Sequence, residues 1–474
     1  MADSTNKVES ANHYGRVMFG RRQIFTDVSD INAGNIVDVI REAMGTHMAN
    51  MGEIDYLYRY YKGEQPILGR VKEVRPEINN KVVVNRANEI VAFKSGYLVG
   101  EPIQYVNRRG DNALTDDITL LNDFMVSQDK AAKDKELADW FHICGVAYRL
   151  ILPVEEKTLP EESPFELHTL DPRGTFVVRY NNYAKKPVLG VTYTKNNATG
   201  ETTYDAYTAT QHFRVVDDRV VSETYHILGG IPIVEYPANS ARLGSFEIVL
   251  SLLDSINATE SNREDAIEQF VQALLVFMGA NIEREQLIAL KDLGALKLPE
   301  NADVKYLVEE LNQTQAQIKT DNDYQTVLTI CGMPNRNGGS STSDTGSAVI
   351  MRDGWEAAEA RAKDSETIFK CSEKESLKIA LKICRDMGRL NLLPSDIDAR
   401  FTRRNYENIQ AKAQVLTIML QQDKIDPRLA FEHCGMFPDP ELAYAMSMAY
   451  YMANKPADPV AEEPVADDPG VAAS

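Results

Sequence analysis

Residues 338–343 read Gly-Gly-Ser-Ser-Thr-Ser, the glycine and hydroxyl content of a loop that could wrap a phosphate. A nucleotide-binding loop of that kind also needs a lysine to reach the outer phosphates. None is present, and the first cation after Gly338 is Arg352. The other residues able to do chemistry do not converge. Seven histidines (His13, His47, His142, His168, His212, His226 and His433) are scattered along the chain and read as structural or solvated. Five cysteines (Cys144, Cys331, Cys371, Cys384 and Cys434) are single and form no CxxC pair, so free, mostly buried thiols in a reducing compartment are expected, without a zinc site. Glu264 and Asp265 are adjacent and on a helix would point in different directions; both read as solvated. Trp140 and Trp355 read as core or interface anchors. The sequence offers no catalytic residue, no metal ligand set and no cofactor motif.

The chain has 474 residues, 43% hydrophobic and 26% charged, enough for two to four domains with their own cores. Its formal net charge is -19. A protein that holds nucleic acid by neutralising phosphates should be basic, at least in one patch, so a conventional DNA-binding module is excluded. No window of eighteen apolar residues occurs and the polar N-terminus has no apolar h-region, so neither a membrane span nor a signal peptide is expected.

The elements that must position any function follow from apolar periodicity. Residues 31–61 read as one or two amphipathic helices ending at Gly63 and Pro66. Residues 79–105 read as an Asn-Asn turn, a short strand-like run, a helix over about 86–98 and a strand near 102–106. A helix over 131–143 runs into an alternating strand, and 165–235 read as several short strands. Residues 245–278 carry no proline and no internal glycine and read as one helix of roughly 50 Å. A short helix near 284–292 and two strands joined by a Pro-Glu-Asn-Ala-Asp turn follow. A second helix ends at Cys331. A third, capped by Ser343 or Asp344, is expected to run on to about Met387, on the order of 65 Å. A helical cluster fills 405–453. The last twenty residues, rich in proline and acid, cannot bury enough surface to fold.

Between Phe246 and Cys331 stand fifteen Asp and Glu against six Lys and Arg, about half of the excess charge of the whole chain. Two long acidic helices bracketing a compact unit are the strongest architectural signal, and the Gly/Ser/Thr loop begins where the second helix stops.

Several segments in order resemble the portal proteins of tailed bacteriophages, in particular the siphophage type. They are YYKGEQPI (60–67), NNKVVVNRANEIVAFKSGYLVGEPIQY (79–105), GVAYRLIL, LDPRGTFVVRY (170–180), GGIPIVEYPAN (229–239), LLDSINATESNREDAIEQF and SDTGSAVIMRDGWEAAEARA (343–362). The resemblance implies an α+β, multidomain portal fold with an α/β wing, a two-helix stem, a small α/β clip and a helical crown. Mapped onto this chain, it gives an N-terminal arm at 1–39, wing at 40–244, first stem helix at 245–278, clip at 279–311 and second stem helix at 312–331. A tunnel loop at 332–345, the long wing helix and its connection at 346–404, a crown at 405–454 and a disordered acidic tail at 455–474 complete it.

The same resemblance implies a ring of about twelve subunits at one capsid vertex, a channel for double-stranded viral DNA, and a terminase large subunit docking on the clip before a head-completion or adaptor protein replaces it. Major capsid and scaffolding proteins would be further partners, and the host cytoplasm the place of assembly. DNA-facing loop residues would be Asn337, Gly338, Gly339, Ser340, Ser341, Thr342 and Ser343. Asp254, Glu260, Glu264, Glu268, Asp321 and Asp323 would line the channel, and Glu285, Lys291, Asp292, Lys297 and Lys305 would form the docking surface. A minor capsid or scaffold protein without a channel, or a DNA-processing enzyme, are the competing readings.

Overall fold

The structure, a computed structural model, describes residues 20–108, 114–154, 159, 162–271, 274–278, 303–307, 313–335, 354–403, 409–437 and 439–454. The expected loop residues 337–343, the clip residues Glu285, Lys291, Asp292 and Lys297, and the acidic tail lie outside these. The chain divides into two compact units, 1–404 and 405–474, and the mixed α and β, multidomain class expected from the sequence is present.

In the first unit, helix α1 (Ile36–Tyr61) keeps its apolar stripe for 26 residues. Its first half places Ile36, Val39, Ile40 and Ala43 on one face of a six-stranded sheet, against Phe176, Val178, Leu189, Val191 and Phe213. Its second half carries Ile54, Leu57 and Tyr60 into a larger core shared with α2 (Arg86–Val99), α3 (Thr115–Ser127) and α4 (Lys130–Cys144). One helix thus belongs to two cores.

The six-stranded sheet runs β1 (Ile24–Thr26), β5 (Thr175–Tyr180), β6 (Pro187–Lys195), β7 (Thr202–Tyr207), β8 (Gln211–Val216) and β9 (Arg219–Tyr225). All neighbours are antiparallel except β1 and β5. A second sheet orders β10 (Ile233–Pro237), β3 (Val146–Pro153) and β4 (Phe165–Leu170), and β2 (Gln104–Asn107) pairs with β13 (Ile397–Arg400). Within the N-terminal arm expected at 1–39, the described residues from Gly20 onward join the body. Strand β1 covers the otherwise open edge of β5, an edge that would expose unpaired amides. Arg21, buried, ion-pairs Glu247 at 2.5 Å and Glu53 at 3.3 Å.

Helix α7 (Trp355–Asp386) spans 32 residues, roughly 48 Å at the helical rise. It cannot run back unbroken to the start expected near Asp344, because Gly354 has φ +79°, a left-handed conformation that a right-handed helix cannot pass through; residues 344–353 lie outside the described residues. Glycine is also required at Gly145, between α4 and β3, where φ is +79° and a Cβ would lie 2.3 Å from the Arg242 carbonyl oxygen.

Inside the larger core lies a closed ionic knot. Lys130 Nζ is 2.6 Å from Asp134 and 3.1 Å from Glu373, and Arg149 pairs with Asp134 and, at 3.3 Å, with Glu373. The hydroxyls of Tyr105 and Tyr236 donate to Glu373. Two cations offset two carboxylates, which is the condition for burying four charges without leaving one uncompensated. The knot joins α4, β3 and α7 to β2 and β10. Burial alone would raise the Glu373 carboxyl, but Lys130 and Arg149 hold it below the usual range.

Helix α5 (Leu250–Val271) is followed by β11 (Leu274–Met278), and β12 (Asp303–Leu307) precedes α6 (Gln313–Cys331). The single helix expected over 245–278 is therefore wrong in its last turns. The run Leu-Leu-Val-Phe-Met is apolar without period, and periodicity cannot separate a short buried strand from a helix in such a run. Among the described residues β12 pairs antiparallel with β11, from Leu274 opposite Leu307 to Met278 opposite Asp303; the partner strand expected just before it lies outside the described residues.

The second unit holds α8 (Ile409–Leu420), α9 (Pro427–His433) and α10 (Pro440–Ala453). Asp426 and Asp439 cap the last two, accepting from the amides of Arg428 and Leu442, each with proline at the first helical position. Phe431 is buried among Phe437 and Tyr444. No helix among the described residues is long and apolar enough to cross a membrane.

Replacing Glu373 by Ala should destabilise the first unit by about 3–5 kcal/mol, since two buried cations lose a partner; denaturant unfolding of the variant checks this. His47, buried, is held down to about 4 by desolvation, partly countered by its hydrogen bond with the Arg173 carbonyl. Its folded value lies below the unfolded one near 6.5, so its contribution is complete above about pH 6.5 and is lost as pH falls towards 4. Denaturation midpoints at pH 7.5 and 5 should differ less in His47→Gln than in the parent.

Candidate functional site

Four polar residues of α5 stand at intervals of three, four and four: Asp254, Asn257, Ser261 and Asp265. That spacing lays them on one helical face. Along this face runs the chain from Asn80 to Asn85. The Val84 amide donates to Asn257 Oδ1 at 2.8 Å, the Val82 amide to Ser261 Oγ at 2.9 Å, and the Asn80 amide to Asp265 Oδ1 at 2.7 Å. Alternate residues of an extended chain advance roughly 6.7 Å, and every fourth residue of a helix about 6.0 Å. The two repeats agree closely enough for three successive bonds.

This corrects the strand-like run expected before α2. Residues 81–84 belong to no sheet; their amides are satisfied by side chains of a helix nearly two hundred positions away.

Both ends of the ladder are reinforced. Asp265, itself buried, is 3.0 Å from both Arg70 and Lys72. Burial would raise its carboxyl, but the Asn80 amide and Lys72 hold it below the usual range. At the other end the Tyr60 hydroxyl donates to Asp254 at 2.9 Å, and Gln65 links the Tyr60 carbonyl, Asn85 and Asn257. Asn85 caps α2 by accepting from the Asn88 amide and donates to the Tyr61 carbonyl. The segments YYKGEQPI and NNKVVVN are therefore parts of one anchor that grips α5.

Helix α6 packs antiparallel on α5 through polar groups. Lys319 reaches Ser255 at 2.6 Å and Asp323 at 2.7 Å, the Ser255 hydroxyl donates to Asp323, and Thr320 donates to Glu260 at 2.9 Å. The base of α6 is seated by Val327, Leu328 and Cys331 in the core. Arg86 stacks 3.8 Å over the Tyr324 ring, whose hydroxyl donates to Glu89.

The six stem acids separate into two groups. Asp254, Glu260, Glu268 and Asp323 are occupied within the chain, by Tyr60, by Arg263 and Thr320, by Asn80, and by Ser255 and Lys319. Glu264 and Asp321 are exposed, the latter accepting from Gln317. The reading of Glu264 and Asp265 as two solvated carboxylates fails for Asp265, which faces inward as its neighbour faces out. On the exposed side of α6 stand Gln317, Asn322, Gln325, Thr326 and Thr329 with Asp321 and Lys319. This side carries amides, hydroxyls, the exposed Ile318 and Ile330, and few charges; the hairpin as a whole is less acidic than the residue count suggests, because Arg70 and Lys72 pair with Asp265, Arg263 with Glu260 and Lys319 with Asp323. Of the docking residues only Lys305 falls in a described element, on β12.

Asn257, Ser261, Arg70 and Lys72 were not singled out by sequence reasoning, and Asp265 only as a solvated carboxylate. A signal existed: the α5 stripe begins apolar at Leu250 and Leu253 and continues at the same spacing with Asn257 and Ser261.

The model of the family described as phage portal protein, SPP1 Gp6-like, matches residues 45–454. The chain belongs to that family of portal proteins, and a head–tail connector role follows from the membership. No curated protein matches. Among solved structures, the chain is similar to one from the virion of the native gene transfer agent (GTA) particle, 12% identical, covering 82% of this chain and 94% of that one with a TM-score of 0.47. It is similar also to one from the neck of the native GTA particle computed with C12 symmetry (13% identity, 75% and 92% coverage, TM-score 0.44). Another, from the neck of the empty particle computed with C6 symmetry, gives 13%, 74% and 90%, and 0.43.

Asp265→Ala should cost about 2–3 kcal/mol, the range for losing hydrogen bonds to a buried charge, and should speed amide exchange at Asn80 and Val82 in particular. Asp265→Asn, which keeps an acceptor for the Asn80 amide, should lose less.

Proposed function

We propose that about twelve copies of this chain close into a ring at one capsid vertex and that the α5–α6 hairpins line a channel for double-stranded DNA. The observation that carries this reading is the one-sided anchoring of the hairpin. One face of α5 is fixed to the body by the ladder, and the exposed side of α6 is left with amides, hydroxyls, Ile318 and Ile330, and few charges. A basic wall would release counterions and hold phosphates in place; a wall of this kind lets a duplex slide. Glu264 and Asp321 are the stem acids best placed to repel a phosphate that strays too close.

In the same reading residues 337–343 form the tunnel loop, where hydroxyls touch phosphates weakly and reversibly. The segment 279–311, with Glu285, Lys291, Asp292, Lys297 and Lys305, takes the terminase large subunit and later a head-completion or adaptor protein. Capsid and scaffolding proteins meet the α/β body, and the ring assembles in the host cytoplasm. No enzymatic role is proposed: the energy for packaging comes from the motor.

Native mass spectrometry with negative-stain imaging tests the ring. Closed rings of about a dozen subunits with a central hole are expected; a strict monomer, even in the presence of scaffold protein, would favour a scaffold or minor capsid protein instead. Deleting 338–343 should leave rings intact and impair DNA packaging or retention, and normal packaging by that variant would remove the tunnel-loop assignment.

A further inference from the structure

At the last turn of α6 a small cavity opens between α2, α4 and α7, lined by Lys94, Tyr97, His142, Gly332, Arg361 and Ser365 among others. Among the described residues neither Lys94 nor Arg361 forms an ion pair. The charges of Lys94 and Arg361 act on one another, and burial together with Arg361 pushes the Lys94 ammonium below its ordinary range. Lys94 is half-buried and Arg361 stands exposed at the cavity's mouth, and among the described residues no carboxylate faces them, in contrast to the buried ionic knot around Glu373.

The third wall is His142, 3% exposed, whose Nδ1 lies 2.8 Å from the Ser245 hydroxyl and whose Nε2 has no hydrogen-bond partner. Burial first, and then Lys94, keep this ring neutral. The contact allows either tautomer; in the one where the Ser245 hydroxyl donates to Nδ1, which the proposal below takes, the ring proton sits on Nε2 as a donor. A buried polar atom without a partner calls for an explanation, and an absent ligand is one. The cavity volume is about 20 Å³, room for one or two oxygen atoms, so a ligand enters by an apex and leaves its bulk outside. The position of Gly332, φ +63°, brings the backbone against Arg361; a Cβ there would lie 2.6 Å from Arg361 Cγ.

We propose that Lys94, Arg361 and His142 form an oxyanion site that takes one phosphate group by an oxygen apex, at the junction of α6 with the body. Arg361 and Lys94 supply charge, and His142 supplies a neutral N–H that orients the bound oxygen. The phosphate could be free or part of a duplex backbone; the chemistry of recognition is the same. The proposal stands on this cavity and does not depend on ring formation.

The test uses the full chain with histidine ring nitrogens labelled. Inorganic phosphate should shift the His142 ring signals and raise the unfolding midpoint by a few degrees, beyond chloride at equal ionic strength. Arg361→Gln or Lys94→Met should weaken binding about tenfold, the loss of one charge-assisted bond. A short DNA duplex that moves the same signals identifies backbone phosphate as the ligand, and a response to inorganic phosphate alone identifies the free anion. If phosphate acts no differently from chloride on the unsubstituted protein, or if the variants bind it unchanged, the site does not exist.

Discussion

The structure depends on a match between two repeats. Every second amide of the chain from Asn80 to Val84 meets every fourth side chain of α5, and the resulting three bonds fix a long helix to the body without a sheet. Because the acceptors are Asn257, Ser261 and Asp265, the join satisfies backbone groups that would otherwise be stranded at a buried surface. It also leaves the opposite side of the hairpin free. A hydrophobic seam of the same length would hold as well, but it is non-directional and would fix neither the register nor the rotation of α5.

Two further devices make the body stiff enough to serve as a mount. Helix α1 contributes to both cores, so the six-stranded sheet and the helical layer cannot move apart without exposing one of its faces. The charge-balanced knot around Glu373 then ties elements that are distant in sequence, from Tyr105 to Glu373, through bonds that have direction. Such a network rigidifies a core when its members are satisfied; here the two cations balance the two carboxylates, and the Arg149 Nε alone is left without a hydrogen-bond partner among the described residues. By contrast, Lys94 and the exposed Arg361 pair with no carboxylate among the described residues.

Much of this was legible in the sequence. The period of α1, the helix α2 over about 86–98, the run from α4 into β3 and the helical character of the second unit are local signals, and local signals read correctly. The boundary errors have a common cause. Leu274–Met278 is apolar without period, residues 81–84 look like a strand and have no strand partner, and β1 is too short to announce itself. In each case the deciding partner is remote: β12, α5 and β5. The site was harder to read for the same reason. Asp265 next to Glu264 looks like any solvated pair until Arg70, Lys72 and Asn80 arrive from the far side, and a count of acids cannot reveal which are already neutralised.

The ladder on α5 also works as a vernier. Two scales of slightly different spacing coincide over a short length only, and here they coincide three times. A shift by one helical turn would bring Val82 to Asn257 and Asn80 to Ser261, so two of the three bonds could re-form almost unchanged. What forbids the shift is the last mark on the scale: Asp265 would be left with no Asn80 amide, while the Ile78 amide is already committed to the Arg75 carbonyl. A single carboxylate therefore sets the height at which the hairpin stands on the body, and in any assembly of identical copies it would set that height identically in all of them.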